Sequence, residues 1–249
     1  MAFENVLAPV FNPLLGLPML WVVVIMAFII TLIITLIYKV STDQNLMKDL
    51  KNEMKELQKE MKELKSEPKK MMEVQKKAMQ TNMKYMSHSM RSMLFTFIPI
   101  ILIFGWMNAN LAYEPILPGQ EFTTSIVFYE GVKGNVSLVV PEGVTVNGEM
   151  NKVISDGEVK WVLKGEQGEY LLEYKVNDKS YTTELLVTNE QNYAKPINLI
   201  KDKVVRQITI DNNKMKVLNL FGWQIGWLGS YIILSIAFSM ILRKLFKVY

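Results

Sequence analysis

The chain has 249 residues, half of them hydrophobic, and a formal net charge of +4, too small and too little interleaved with aromatics for a nucleic-acid surface. There is no cysteine and His88 is the only histidine, so disulfides and thiolate chemistry are excluded and a His-based metal site or triad lacks its second partner. No Gly-x4-Gly-Lys-Ser/Thr loop is present to cradle a nucleotide. The expectation is a non-enzyme with no catalytic residue, no metal and no cofactor.

The first element is an apolar run. No charge occurs between Glu4 and Lys39, and residues 19–38 are nearly all aliphatic, broken only by Thr31 and Thr35. A bilayer core of about 30 Å is crossed by about 20 apolar residues in a helix, so this run predicts a transmembrane span. Glu4 stands before it with no Lys or Arg and no small-x-small cleavage site follows, so the reading is a retained span rather than a signal peptide.

A charged segment follows. Met47, Leu50, Met54, Leu57, Met61 and Leu64 alternate by three and four, the seam spacing of a coiled coil, with Lys and Glu between them. Ser66-Glu67-Pro68 predicts a turn. A second stripe, Met72, Met79, Met83, Met86, Met90 and Met93, then runs into the next apolar block, and the two stripes are expected to pair as an antiparallel hairpin. A methionine surface also suits binding of varied apolar segments, because the unbranched thioether repacks cheaply against many shapes.

Residues 92–113 form the second uncharged block and 217–242 the third. Lys39, Arg91, Arg243, Lys244 and Lys247 flank one end of the three blocks, while Trp21, Trp106, Trp223 and Trp227 mark the other. The basic ends are expected in the cytoplasm and the indoles in an outer belt, giving an outside N-terminus and a cytoplasmic C-terminus. Gly222-x-x-x-Gly226 would let helices approach closely, and Ser235 and Ser239 share a face in the third block as Thr31 and Thr35 do in the first.

Between the second and third blocks the period changes to two. Val159, Trp161 and Leu163, then Tyr170, Leu172, Tyr174 and Val176, then Tyr181, Thr183, Leu185 and Val187 alternate with polar residues, and turn signals such as Asn147-Gly148 and Asp156-Gly157 separate them. This predicts a small immunoglobulin-like sandwich on the outer side. Asn135-Val136-Ser137 fits a glycosylation sequon there.

The expected fold is thus an α-helical membrane protein of three transmembrane helices, with a cytoplasmic coiled-coil hairpin and an inserted extracytoplasmic β domain. Its parts are an outer segment and first span (1–38), a Met-rich hairpin (39–91), a second span (92–113), the β domain and connector (114–216), and a third span with a cytoplasmic tail (217–249).

This architecture, with Met90-Arg91-Ser92-Met93 and Phe97-Ile98-Pro99 opening the second span, resembles the YidC-type membrane insertases over residues 1–113 and 217–249. It is most similar to the archaeal YidC-like family, relatives of an insertase subunit of the ER membrane protein complex. Bacterial members carry an arginine in the groove of the first span; this first span has none, and the nearest cations are Arg91 and Lys39. The resemblance implies an energy-independent insertase of the cell membrane. Its partners would be nascent membrane proteins, the ribosome–nascent chain complex and the lipid bilayer, with no nucleotide. Met79, Met83, Met86 and Met90 would capture substrate, and Thr31, Thr35, Asn108 and Ser235 would line a polar groove with Arg91 at its mouth. The rival expectation is a structural or sensory membrane protein whose outer β domain binds a ligand and whose coiled coil dimerises.

Overall fold

The computed structural model describes residues 4–248. The chain divides into two compact units, Met1–Trp106 with Val217–Tyr249, and Met107–Lys216.

The first unit is built on helices. After α1 (Glu4–Phe11) and a 3-10 turn (Asn12–Gly16), α2 runs Met19–Ser41, α3 Gln44–Glu63, α4 Pro68–Leu111 and α5 Trp227–Leu245. Three of these, α2, α4 and α5, are long and apolar enough to cross a membrane. At ~1.5 Å per residue α2 and α5 reach roughly 35 and 29 Å, matching a hydrocarbon core. Local chemistry sets the boundaries. Asp43 caps α3, its carboxylate accepting from the Asn45 and Leu46 amides at 3.0 and 3.1 Å. Pro68 opens α4, where a missing N–H costs nothing.

Helices α2 and α5 run in the same direction: Phe28 meets Phe238 at 5.5 Å, and Arg243 lies over the Tyr38 ring near both C-terminal ends. Helix α4 runs oppositely, with Phe104 4.8 Å from Tyr231 at one end and the Ser89 hydroxyl 3.5 Å from that of Tyr38 at the other. The chain therefore leaves the end of α2, passes through α3, and is back beside α2 at residue 89.

The sequence puts the seam that α3 would share on the methionines of α4; in the structure those methionines face outward. On α3, Met47, Leu50 and Leu57 are buried. On α4 the inward positions are Met71, Val74, Ala78, Thr81, Tyr85, Ser89 and Ser92, while Met72, Met79, Met83, Met86, Met90 and Met93 are each 55–67 % exposed. Both sets repeat by three and four, so each forms one stripe of the helix.

The third span is also shorter than the uncharged run. Lys216–Leu220 (β10) and Trp223–Gly226 (β11) form a two-stranded hairpin, and α5 begins only at Trp227. Gly222 sits in the turn with φ 89° and Gly226 caps α5, so the Gly222-x-x-x-Gly226 pair is not a helix-packing motif. Trp106, one of the indoles expected in the outer belt, is buried against Phe11, and its Nε1 donates to Asn12 Oδ1 at 3.1 Å.

The strands of the second unit pair antiparallel, in two sheets. Strands β1 (Glu121–Phe128), β3 (Val144–Asn147), β5 (Glu158–Gly165), β8 (Ile197–Leu199) and β9 (Val205–Ile210) form one, in the order β3-β5-β1-β9-β8. Strands β2 (Asn135–Val139), β4 (Asn151–Val153), β6 (Gly168–Val176) and β7 (Lys179–Val187) form the other, in the order β4-β2-β6-β7. Alternate residues of both sheets, among them Ile126, Leu138, Trp161, Leu163, Leu172, Tyr174 and Ile208, make one core. Trp161 meets Tyr174 edge-on at 5.8 Å. The Tyr174 hydroxyl bonds Thr124 Oγ1, which donates to the Thr209 carbonyl at 3.0 Å, tying the sheets together. Burial pushes the Tyr174 phenol well above its usual range, which keeps it neutral.

Candidate functional site

Within the helical unit a cavity of about 330 Å³ opens between α2 and α5. Its polar lining is Thr31, Thr35 and Tyr38 from α2, and Tyr231, Ser235, Ser239 and Arg243 from α5. The spacings explain the assembly. Thr31, Thr35 and Tyr38 follow at i, i+4 and i+7, and Ser235, Ser239 and Arg243 at i, i+4 and i+8, so each set forms one stripe of its helix. Ile34, Ile236, Met240 and Val248 complete the walls.

The hydroxyls are oriented by their own helices. Thr31 Oγ1 donates to the Ala27 carbonyl at 2.6 Å, Thr35 Oγ1 to the Thr31 carbonyl at 2.7 Å, and Ser235 Oγ to the Ile232 carbonyl at 2.9 Å. Each bond spends the single proton and leaves the oxygen lone pairs as acceptors. Arg243 supplies the opposite character. Its guanidinium, 5.4 Å from the Tyr38 ring centroid, is a fixed cation with several donors. The Tyr38 hydroxyl in turn meets Tyr85 and Ser89 of α4. The lining therefore offers acceptors along its length and a cation at one end, inside an otherwise apolar helical block.

Of the residues singled out from sequence, the structure brings Thr31, Thr35 and Ser235 into this one cavity. Arg91 and Asn108 are not in its lining. Arg91 is exposed on α4, and Asn108 belongs to the β unit, where its carbonyl accepts from the Tyr193 hydroxyl at 3.3 Å. The cation at the cavity is Arg243 instead. In the sequence Arg243 reads only as a flanking charge; its spacing of four from Ser239 and eight from Ser235 is the signal that places it on the same stripe. Tyr38 was missed because an aromatic at the end of an apolar run reads as an interface residue, and Tyr231 because an aromatic within such a run reads as part of the apolar wall.

Met79, Met83, Met86 and Met90 form an exposed strip on α4, each between 55 % and 66 % accessible. With Met93, Leu94 and Phe97, also exposed, the strip continues into the apolar half of the same helix. Among the described residues no group of three or more His, Cys, Asp or Glu is placed to hold a metal ion.

The model of a family described as "Integral membrane protein EMC3/TMCO1-like" matches residues 4–144, more than half of the chain. The chain belongs to the EMC3/TMCO1-like family. That makes it an integral membrane protein of the YidC/Oxa1/Alb3-related insertase superfamily, with an insertase-related role. The matched stretch includes α2, the whole of α4 and the first two strands of the β unit, and ends where β3 begins. No curated protein and no solved structure matches the chain.

Proposed function

We propose that this EMC3/TMCO1-like protein is a membrane-protein insertase that works without nucleotide, taking apolar nascent segments onto the methionine strip of α4 and passing their polar flanks along the cavity between α2 and α5. The observation that carries the proposal is the cavity itself. A polar stripe from each of two spans, ending in a cation, is costly in lipid unless something polar uses it. Moving a polar flank through hydrocarbon leaves each hydrogen-bonding group unsatisfied at several kcal/mol. Acceptor oxygens and water in the cavity replace hydrocarbon along that path and lower the barrier.

The driving force is the substrate's own partition into the bilayer. Leu, Ile, Phe and Val each contribute about −0.3 to −0.6 kcal/mol at the centre of a span. The basic residues Lys39, Arg91, Arg243, Lys244 and Lys247 favour the cytoplasm for the end that carries Tyr38, Ser89 and Arg243, which puts the methionine strip where ribosomes release nascent chains. The cell membrane, an outside N-terminus and an outer β domain complete this reading. The segment from α3 into α4 acts as the cytoplasmic antenna, and its methionines face outward.

The test is site-specific crosslinking. A photoreactive residue at Met83 or Met86 should crosslink to a ribosome-bound nascent span, and one at Ser239 should crosslink to its polar flank at a later chain length. Crosslinks from exposed positions on α3, such as Lys55, that equal those from Met83 would reject the assignment.

A further inference from the structure

The hairpin before α5 is an unusual object for a chain about to enter a membrane. Its strands alternate in character: Leu218, Leu220, Trp223 and Ile225 occupy one set of positions, Asn219 and Gln224 the other. The turn between them has two residues, Phe221 with φ 53° and Gly222 with φ 89°, which places Leu220 opposite Trp223 and gathers the apolar set on one face. Asn219 Oδ1 accepts from the Gly222 amide at 2.9 Å and holds the turn closed. Phe221 is fully exposed and Trp223 is 79 % exposed.

Phenylalanine is a poor residue for this turn. Left-handed backbone suits Gly, Asn or Asp, and a bulky residue there is strained. A strained and solvent-exposed phenylalanine is explained when the aromatic ring has a use outside the fold. The neighbouring span supplies that use. Helix α5 starts at Trp227, directly after the second strand, and Ile225 leans on Gly229 in the first turn of the helix. The hairpin therefore lies at the depth where the bilayer ends, and an indole beside a phenyl ring is the chemistry that headgroup and acyl carbons receive best.

We infer that Lys216–Gly226 is a membrane-interface hairpin whose apolar face, with Phe221 and Trp223 at its tip, inserts at the headgroup–acyl boundary where α5 enters the bilayer. It fixes the vertical position of α5, and with it the height of Ser235, Ser239 and Arg243 in the cavity.

The absence of cysteine makes the test direct, because Phe221→Cys or Gln224→Cys creates a single labelling site. The full-length protein, reconstituted in phosphatidylcholine nanodiscs, carries a nitroxide at either position. The label at 221 should collide more with oxygen, which concentrates in lipid, than with a water-soluble nickel chelate, and the ratio should reverse at 224. Phe221→Asn, the residue the turn prefers, should keep or raise the melting temperature while lowering the part of brominated-lipid quenching that Trp223→Phe abolishes. Dominant nickel collisions at 221 would mean that the tip stands in water, and low collisions with both reagents would mean that protein covers it; either result overturns the inference.

Discussion

The guanidinium of Arg243 lies over the ring of Tyr38, 5.4 Å from its centroid, joining α5 to α2 at one end of the polar cavity. Such a contact contributes about 0.5–1 kcal/mol at an exposed site and more when desolvated. Arg243→Gln should therefore destabilise the protein in detergent by about that amount and slow insertion of substrates with acidic flanks more than of neutral ones. Arg243→Lys should keep the charge effect and lose most of the stacking. Proteoliposome insertion of a matched pair of substrates, alongside thermal unfolding, measures both; equal loss for acidic and neutral flanks would rule out a charge role.

The methionine strip and the α3 stripe should respond oppositely to mutation. Replacing Met79, Met83, Met86 and Met90 together by serine removes exposed side chains, so stability should change by no more than about 0.5 kcal/mol per site. Insertion should nevertheless fall several-fold. Leu57 is buried on α3, and Leu57→Ala should cost about 2–5 kcal/mol. Intact insertion by the serine variant would exclude capture by the strip.

Thr31→Val and Thr35→Val keep the shape of each side chain and remove the acceptor oxygens from the cavity. If each oxygen contributes about 1 kcal/mol to a moving polar flank, each variant should slow insertion roughly fivefold. Melting should hardly change, since each hydroxyl bonds only its own helix. Single-turnover insertion kinetics separate the two effects.

The β unit should have a defined pH window. Lys179 and Tyr181 donate to the Asp202 carboxylate at 3.0 and 2.8 Å, and these bonds together with the Val204 amide hold its pKa well below the ordinary carboxylate range. A depressed folded pKa gives stability that is present above the unfolded value, near about 3.9, and lost as pH falls below it. Burial, then the bond and charge of Asp202, push the Tyr181 phenol up to about 12. That contribution is complete below the unfolded value of about 10 and is lost as pH rises from there through about 12. Unfolding midpoints across the pH range should fall at both ends, and Asp202→Asn should flatten the acid limb; an unchanged acid limb would show that Asp202 has no part in it.

The long uncharged runs made legible the three helices apolar enough to span, because lipid tolerates no unpaired backbone and few charges. The strands of the β unit were legible through alternation at Val159, Trp161 and Leu163. Hydropathy failed at residues 217–226, where Leu218, Leu220, Phe221, Trp223 and Ile225 raise the average while a period of two and two glycines argue for a hairpin. The pattern also misled on α4, where methionines draw attention by bulk while the less exposed positions are Ala78, Thr81, Ser89 and Ser92. Thr31, Thr35 and Ser235 could be grouped from their spacing within each helix. That Arg243 joins them depends on which face α5 turns toward α2, which no single-helix pattern contains.

Helix α4 is unbroken from Pro68 to Leu111. The methionine strip and the apolar half are thus parts of one continuous helix that holds Pro99 in its apolar half, and the number of residues between them sets their angular relation. One residue inserted between Met90 and Phe97 would swing the strip by about 100° around the axis, whereas seven would restore its bearing to within about 20°. Length variation among relatives in this stretch should accordingly come in sevens, a rule of phase rather than of composition.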